Sequence, residues 1–210
     1  MSRELIYLKR RIKKIISVIE ALDSFRSGYF TDIDRLILTY RELELGGRAR
    51  KWKEVRRDLE RLVLGSTKIR ETRKYLKYEK IMDKIYKVVL ALLIISMLSS
   101  LLGIPTLTMA LILPLFIIFP VVLFIRLFIR EKIRIIYIKN SERFRDEINR
   151  IKKDIDILIQ EVMRISKRAG LDSRTISMNL INADYSNIKV VKKPGRFSRY
   201  YTVVPKIEGE

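Results

Sequence analysis

The chain has 210 residues, of which 44 are Lys or Arg and 24 are Asp or Glu, so its formal net charge is +20 at neutral pH. It contains no Cys and no His, which excludes disulfide bonds, thiolate metal sites, Cys nucleophiles and His general bases. A charge this high attracts anionic surfaces such as nucleic acid, the ribosome or acidic lipid headgroups. The charge alone does not indicate which of these is the partner. The many charges and few thermolabile residues are typical of a thermophile.

Residues 1–87 predict a basic cytoplasmic helical segment. The charged N-terminus has no apolar h-region and no cleavage-site pattern, so no secretory signal is expected. Apolar residues then recur at alternating spacings of three and four, as in a coiled-coil seam: Leu5, Leu8, Ile12, Ile15, Ile19 and Leu22.

Two more amphipathic helices follow this seam. Thr31 with Asp32 predicts the start of the second helix, because such side chains accept hydrogen bonds from the first turn. Trp52 begins a third helix, which the glycine of the pair Gly65-Ser66 is expected to end. A last basic helix, at about residues 67–87, is expected to run into the apolar stretch that comes next.

A stretch of 38 residues without a charge, from Val88 to Ile125, predicts a membrane-spanning two-helix hairpin. One span needs about 20 residues to cross a hydrocarbon core of about 30 Å, so this length suits two spans. Gly103 and Pro105 mark the turn, since Gly commonly ends a helix and Pro favours beginning one. We therefore expect spans at about residues 88–103 and 107–125.

Basic residues outnumber acidic ones on both flanks of this stretch, in residues 70–87 and 126–145, whereas the turn is uncharged. Because basic flanks mark the cytoplasmic side, both termini are expected to be cytoplasmic. The pattern predicts a multi-pass cell-membrane protein with two spans in the lipid bilayer. A buried hairpin inside a soluble protein is the alternative, and it requires the rest of the chain to wrap the uncharged residues on every side.

Two prolines and several small residues distinguish the two predicted spans. Pro114 and Pro120 each remove a backbone donor and are expected to kink the second span. Small residues on the first span can form a close packing edge: Ser96, Ser99, Ser100 and Gly103. Ordinary packing within the hairpin explains these residues; a pore or substrate path is the alternative, although no ionisable residue lies in the stretch to mark one.

Residues 126–169 predict a long cytoplasmic helical stem. No Pro or Gly lies between Val121 and Ala169, so one helix is expected to continue from the second span for roughly 65 Å. Its seam needs a partner, either the N-terminal seams of the same chain or the stem of a second chain. The seam consists of Phe144, Ile148, Ile151, Ile155, Leu158, Val162 and Ile165.

Residues 170–210 predict a linker or short helix followed by a small C-terminal β-hairpin without a core of its own. Its strands are Ile188 to Val191 and Phe197 to Val204, with Pro194 and Gly195 at the turn. Cations that hold phosphates alternate there with aromatic rings that stack on bases, as in single-strand contacts; a plain charged hairpin or a protein contact uses the same residues. The candidate residues for an anionic partner are Lys189, Lys192, Lys193, Arg196, Phe197, Arg199, Tyr200 and Tyr201.

Asp154, Asp156 and Glu161 form the notable acidic cluster, which we expect to neutralise neighbouring basic helices rather than to hold a metal or act as an acid–base pair. No phosphate-binding loop, nucleophile elbow, zinc-protease motif or dinucleotide fingerprint is present, and neither enzyme activity nor a cofactor is predicted.

The predicted fold is mostly α, with a membrane-spanning two-helix hairpin, cytoplasmic amphipathic and coiled-coil helices, and a small C-terminal β-hairpin. The leading hypothesis is a membrane-anchored scaffold or tether that presents a basic cytoplasmic surface to an anionic partner (ribosome or RNA, other nucleic acid, or acidic lipid) or to a protein complex. The alternative is a homo-oligomeric channel or transport-machine subunit built from the hairpin.

Overall fold

The computed structural model describes residues 3–45, 47, 49–101, 105–172, 175–195 and 198–206. These residues form a mostly helical fold with a small antiparallel sheet, which confirms the mostly α part of the predicted fold. The α-helices, in chain order, are α1 (Arg3–Arg26), α2 (Ile33–Glu42), α3 (Trp52–Lys68), α4 (Arg70–Leu101), α5 (Pro105–Lys139) and α6 (Arg145–Arg168). The strands are β1 (Met178–Leu180), β2 (Ile188–Lys192) and β3 (Tyr201–Pro205).

The chain divides into two compact units. The first, which we call the helix–sheet unit, combines Met1–Gly65 with Asn140–Glu210. The second, the hairpin unit, is Ser66–Lys139. Residues from before and after the hairpin unit therefore fold together.

The core of the helix–sheet unit lies where α1 packs against α6. The predicted seams of both helices supply it, since apolar side chains spaced by three and four residues share one helix face. Of the two partners left open for the stem seam, the structure pairs it with the N-terminal seam of the same chain. Fully buried seam residues are Ile15, Ile19, Leu22, Ile151, Ile155 and Leu158.

Helix α2 begins where the sequence predicts, because the Asp32 carboxylate accepts a hydrogen bond from the Arg35 backbone N–H at 3.2 Å. The predicted end of the third helix is wrong, however. Helix α3 continues through Gly65 to Lys68, and only Ile69 separates it from α4. Gly65 lies against the ring of Phe144, where an added Cβ would overlap the ring. Its missing side chain thus serves helix packing instead of ending the helix.

The prediction of one uninterrupted helix from Val121 to Ala169 is also wrong. Helix α5 ends at Lys139, and Asn140 has φ −107° and ψ 12°, outside the helical region. A short 3₁₀ helix, Ser141–Phe144, then leads into α6. No Pro or Gly marks this break. The adjacent polar residues Asn140 and Ser141 weaken a helix interior, because their side chains compete for backbone hydrogen bonds.

The C-terminal β-hairpin is confirmed as part of a three-stranded antiparallel sheet of order β1-β3-β2. The third strand, β1, lies where the sequence predicts a linker or a short helix, and there the prediction is wrong. The hairpin does not build a separate core; it contributes to the core of the helix–sheet unit. Met178 pairs with Val203 and both are fully buried, because β1 contacts α1 and β3 contacts α6.

The hairpin unit is an antiparallel pair, α4 and α5, with a core of its own. Val89, Leu115 and Val122 are buried in that core, and the rings of Tyr86 and Phe119 lie 6.0 Å apart beside them. Helix α4 ends at Leu101 and α5 begins at the predicted residue, Pro105. The other predicted turn residue, Gly103, lies outside the described residues.

Candidate membrane hairpin and anionic-partner surfaces

One helix in the described part of the chain is long and apolar enough to cross a membrane. It is the section Ile112–Lys139 of α5, and only 17% of its most apolar part is buried. By the same measure of length and composition, the described part of α4 does not qualify. The second predicted span, the hairpin in the membrane and the cytoplasmic location of the termini therefore stay predictions.

Apolar side chains cover the outer surface of the α4–α5 pair. The ring of Phe116, for example, is 79% exposed although it lies in the middle of an uncharged helix section. An exposed apolar area of this extent is rare on monomeric soluble proteins and marks a membrane or protein contact. The strongly exposed apolar residues are Val88, Ile94, Met97, Leu98, Leu113, Phe116, Ile117, Val121, Phe124 and Leu127.

Helix α5 stays one continuous helix through both predicted kink residues, Pro114 and Pro120. The kink itself stays a prediction. On α4, the small side chains of Ser96 and Ser99 are buried, and the Ser99 hydroxyl donates a hydrogen bond to the Ser96 carbonyl oxygen at 2.9 Å. These two members of the predicted small edge are therefore covered within the chain, as the interpretation of ordinary hairpin packing expects.

Ion pairs join α4 and α5 at the end of the apolar section. Arg126 lies 2.8 Å from Asp83, and one helical turn further Arg130 lies 3.0 Å from Glu79. The Arg126 guanidinium also stacks over the ring of Tyr86, at 4.7 Å from its centroid. Paired charges beside a tyrosine, directly next to an apolar section, are typical of the interface between a bilayer and water.

The sheet separates the basic and aromatic residues predicted to bind an anionic partner. Lys189 pairs with Val204 and Lys192 with Thr202, which puts both lysines on one face of the sheet. Tyr201 is two residues from Val203 and lies on the opposite face, the one with buried Met178. The two lysines and Tyr201 therefore do not form one binding surface.

The other predicted tail residues have different surroundings. Lys193 and Tyr200 are exposed. Arg199 donates a hydrogen bond to the hydroxyl of Tyr29 and stacks over that ring at 5.0 Å, so it ties the tail to the segment after α1. Arg196 and Phe197 lie outside the described residues.

A buried carboxylate on α1 holds the loop between β1 and β2. One oxygen of Asp23 accepts hydrogen bonds from the Tyr185 hydroxyl at 2.5 Å and the Asn182 amide at 2.8 Å. The other oxygen accepts from the backbone N–H of Ile181. Burial raises the pKa of Tyr185 above its usual value, so the phenol stays a donor.

Ion pairs of Asp184 fasten the same loop to two helices. Asp184 accepts hydrogen bonds from the Arg26 guanidinium at 2.5 Å and lies 3.0 Å from the Lys152 ammonium. The hydrogen bond from Arg26, helped by Lys152, lowers the pKa of Asp184 to about 2. The loop thus contacts both α1 and α6.

Two buried carboxylates, Asp58 on α3 and Asp154 on α6, form an ion-pair network with two partly exposed arginines, Arg50 just before α3 and Arg150 on α6. Arg50 donates to Asp58 at 2.6 Å and to Asp154 at 2.9 Å, and Arg150 donates to Asp58 at 2.9 Å. Burial raises the pKa of Asp154 above its usual value. Burial acts on Asp58 in the same direction, but the hydrogen bonds from Arg150 and Arg50 outweigh it and lower its pKa. Sequence patterns do not reveal this network, because Arg50 and Asp154 are 104 residues apart.

The predicted acidic cluster does not act as one group. Asp154 belongs to the network with Arg50, Asp156 accepts from the Ser186 backbone N–H, and Glu161 pairs with Arg164 at 2.6 Å. Across the residues that the structure describes, no three Asp or Glu side chains come together as metal ligands would. The three acids serve as counter-charges and as a loop contact.

No family model, curated protein or solved structure showed a match to this chain.

Proposed function

We propose that the chain is an integral membrane protein anchored by the α4–α5 hairpin. The observation that carries this proposal is the apolar outer surface of the pair, which water would solvate unfavourably and lipid would cover. As a helix, the predicted first span of residues 88–103 has a length of about 24 Å, close to a hydrocarbon core of about 30 Å. The ion pairs of Arg126 and Arg130 then lie at the cytoplasmic interface.

The segments of the chain that make up the helix–sheet unit support two crossings of the membrane rather than one. This unit contains residues from before and after the hairpin, and α1 packs directly against α6. A folded unit cannot have a membrane between its own packed helices, so the chain between Gly65 and Asn140 crosses an even number of times. The basic flanks favour the cytoplasm as the side on which the unit and both termini lie.

In this membrane protein the helix–sheet unit acts as a cytoplasmic scaffold for an anionic partner or a protein complex. The support is the formal charge of +20, together with a folded unit attached to a short anchor. The alternative of a homo-oligomeric channel draws less support from the hairpin, because the small residues Ser96 and Ser99 are buried within one chain.

Single cysteines in this Cys-free chain test the topology. Tyr7→Cys, Thr106→Cys and Lys206→Cys place thiols in the helix–sheet unit, near the turn, and after β3. An impermeant maleimide added to intact cells should label the Thr106 site alone, and all three sites after the membrane is opened. Labelling of the Tyr7 or Lys206 site in intact cells contradicts the proposed topology. Affinity purification from native membranes, with identification of proteins and RNA, tests the scaffold role.

A further inference from the structure

Two parallel stripes of side chains run along α4 just before its apolar section. The lysine stripe consists of Lys77, Lys80, Lys84 and Lys87. The apolar stripe consists of Tyr78, Ile81, Ile85 and Val88, each one residue after a lysine. The spacing is three and four residues in both stripes, so each forms a continuous line on one helix face.

Both stripes are exposed on the side of α4 away from α5. Ile81 and Val88 are 46% and 60% exposed, and all four lysines are exposed. The residues that meet α5, Glu79 and Asp83, lie on the opposite side of the helix and are held by its arginines. Packing within the hairpin therefore leaves an amphipathic helix face uncovered, with cations beside isoleucines.

We propose that this face of α4 docks on the headgroup region of an acidic lipid leaflet. The inference rests on the proposed membrane hairpin and deepens it by assigning an anionic partner to this surface. Acidic headgroups complement the lysine stripe, and the boundary of the acyl chains takes up the apolar stripe, as on interfacial amphipathic helices. At Val88 the apolar stripe joins the apolar outer surface of the hairpin without interruption.

The alternative occupants fit this face less well. Nucleic acid offers phosphates to the lysines but leaves Ile81 and Ile85 without an apolar partner. A second copy docked through the same face would bring two lysine stripes together, and like charges at such distances repel. A lipid leaflet supplies both the negative charge and the apolar contact.

The geometry requires a tilt of the hairpin. From Tyr78 to Val88 the stripe is about 15 Å long at 1.5 Å per residue, whereas each headgroup layer is roughly 5–8 Å thick. Spanning helices tilt by about 20° on average and by up to about 40°. At a tilt of about 40° toward the outer side of α4, Ile85 lies about 3 Å and Ile81 about 8 Å from Val88 along the bilayer normal, so both lie in the headgroup layer, whereas Tyr78, at about 11 Å, lies in the water beyond it.

The test measures contact between lipid and single labelled cysteines in the full chain, reconstituted in nanodiscs. A fluorophore at Ile81→Cys reports on the stripe, and one at Leu113→Cys reports on the anchor. Quenching by spin-labelled lipid is compared between phosphatidylcholine and a mixture with about 30% phosphatidylglycerol, in about 0.1 M and about 1 M salt. In the acidic nanodiscs the label at Ile81 should be quenched at least about twofold more strongly, and about 1 M salt should remove this increase because the Debye length falls to about 3 Å.

Two quadruple variants distinguish an effect of the lysine stripe on quenching from an effect of the net charge of the whole chain. The stripe variant changes Lys77, Lys80, Lys84 and Lys87 to Gln and should lose the lipid-dependent increase. The control variant changes four exposed lysines of the helix–sheet unit, Lys13, Lys51, Lys153 and Lys167, to Gln and should keep it.

Three results overturn the inference: equal quenching at Ile81 in both lipids, an equal decrease in both quadruple variants, or disulfide cross-linking of two chains through Ile81→Cys. The last result would identify the face as an interface between copies. Failure of the membrane anchor gives a different result, since the label at Leu113 would then escape quenching in every nanodisc.

Discussion

Gly65 and Phe144 pack so closely that the backbone of helix α3 touches the aromatic ring, although the whole hairpin unit separates the two residues in sequence. A Cβ at position 65 would overlap the ring. Gly65 lies inside α3, and Phe144 lies in the short 3₁₀ helix between α5 and α6. This contact therefore joins α3 to the segment where the long helix is interrupted. Phe144 is buried, and the helical conformation is interrupted at Asn140, shortly before it.

Gly65→Ala should destabilise the helix–sheet unit by up to about 2 kcal/mol. Alanine in a helix interior normally gains about 1 kcal/mol over glycine, but overpacking a buried ring costs about 1–3 kcal/mol and outweighs that gain here. Denaturant unfolding, followed by the fluorescence of the single tryptophan Trp52, measures the change. Gly47→Ala is the matched control, because nothing lies within 4 Å of its added Cβ. An increase in stability of Gly65→Ala would show that the ring moves aside freely.

Asp154→Asn should cost about 1–3 kcal/mol of unfolding free energy, because Arg50 loses its charge-assisted hydrogen bonds to α6 and keeps only those to Asp58. The carboxylate of Asp154 is 1% exposed and pairs with Arg50. The control is Glu60→Gln, whose ion pair with Arg56 is exposed and should contribute little. Equal unfolding midpoints for Asp154→Asn and the parent protein would contradict a structural role for the network.

The stability of the parent protein relative to Asp184→Asn should fall as the pH is lowered from about 4 toward 2. The folded-state pKa of Asp184 is about 2, below its usual value of 3.8. A lowered pKa means that the carboxylate stabilises the fold above pH 3.8, and that this contribution disappears as the pH falls toward the folded pKa. Because the side chain is 46% exposed, the difference should be small. Unfolding of both proteins at about pH 6, 4 and 2.5 measures it, and a constant difference is the contradictory result.

If the sheet holds a single-stranded RNA through Lys189 and Lys192, changing both to Gln should flatten the salt dependence of binding. The slope of log K against log salt should fall by about 1.4, which is about 0.7 for each phosphate that is no longer neutralised. Tyr200→Ala should lower the affinity and keep the slope, because stacking carries no charge. Lys51→Gln with Lys53→Gln, the same change of charge elsewhere, should leave RNA binding as it is; a similar decrease there would mean that binding follows net charge alone.

Local patterns in the sequence predicted the helical segments, the strands of the hairpin and the start of α5 at Pro105. Seam spacing placed the buried faces of α1 and α6 correctly, because periodicity and burial are properties of neighbouring residues. The uncharged stretch and its basic flanks predicted the apolar helical hairpin for the same reason. The continuation of α3 through Gly65 was mispredicted, since it depends on the packing of Gly65 against Phe144, which lies far away in sequence. The break at Asn140 was mispredicted because no Pro or Gly marks it and the polar pair Asn140-Ser141 is only a weak local signal.

For the candidate sites, too, some features followed from local sequence and others only from the tertiary structure. Composition and spacing predicted a basic tail, but only the sheet register decided that Lys189 and Lys192 lie on one face and Tyr201 on the other. The carboxylates of Asp23, Asp58 and Asp154 are buried with partners about 90 to 160 residues distant, and no local pattern distinguishes them from exposed acids. The sequence by itself determined which segments are apolar, charged or helical, because those properties belong to each residue and its near neighbours. The tertiary structure alone decided which charges meet, because contacts between distant segments follow from how the whole chain packs.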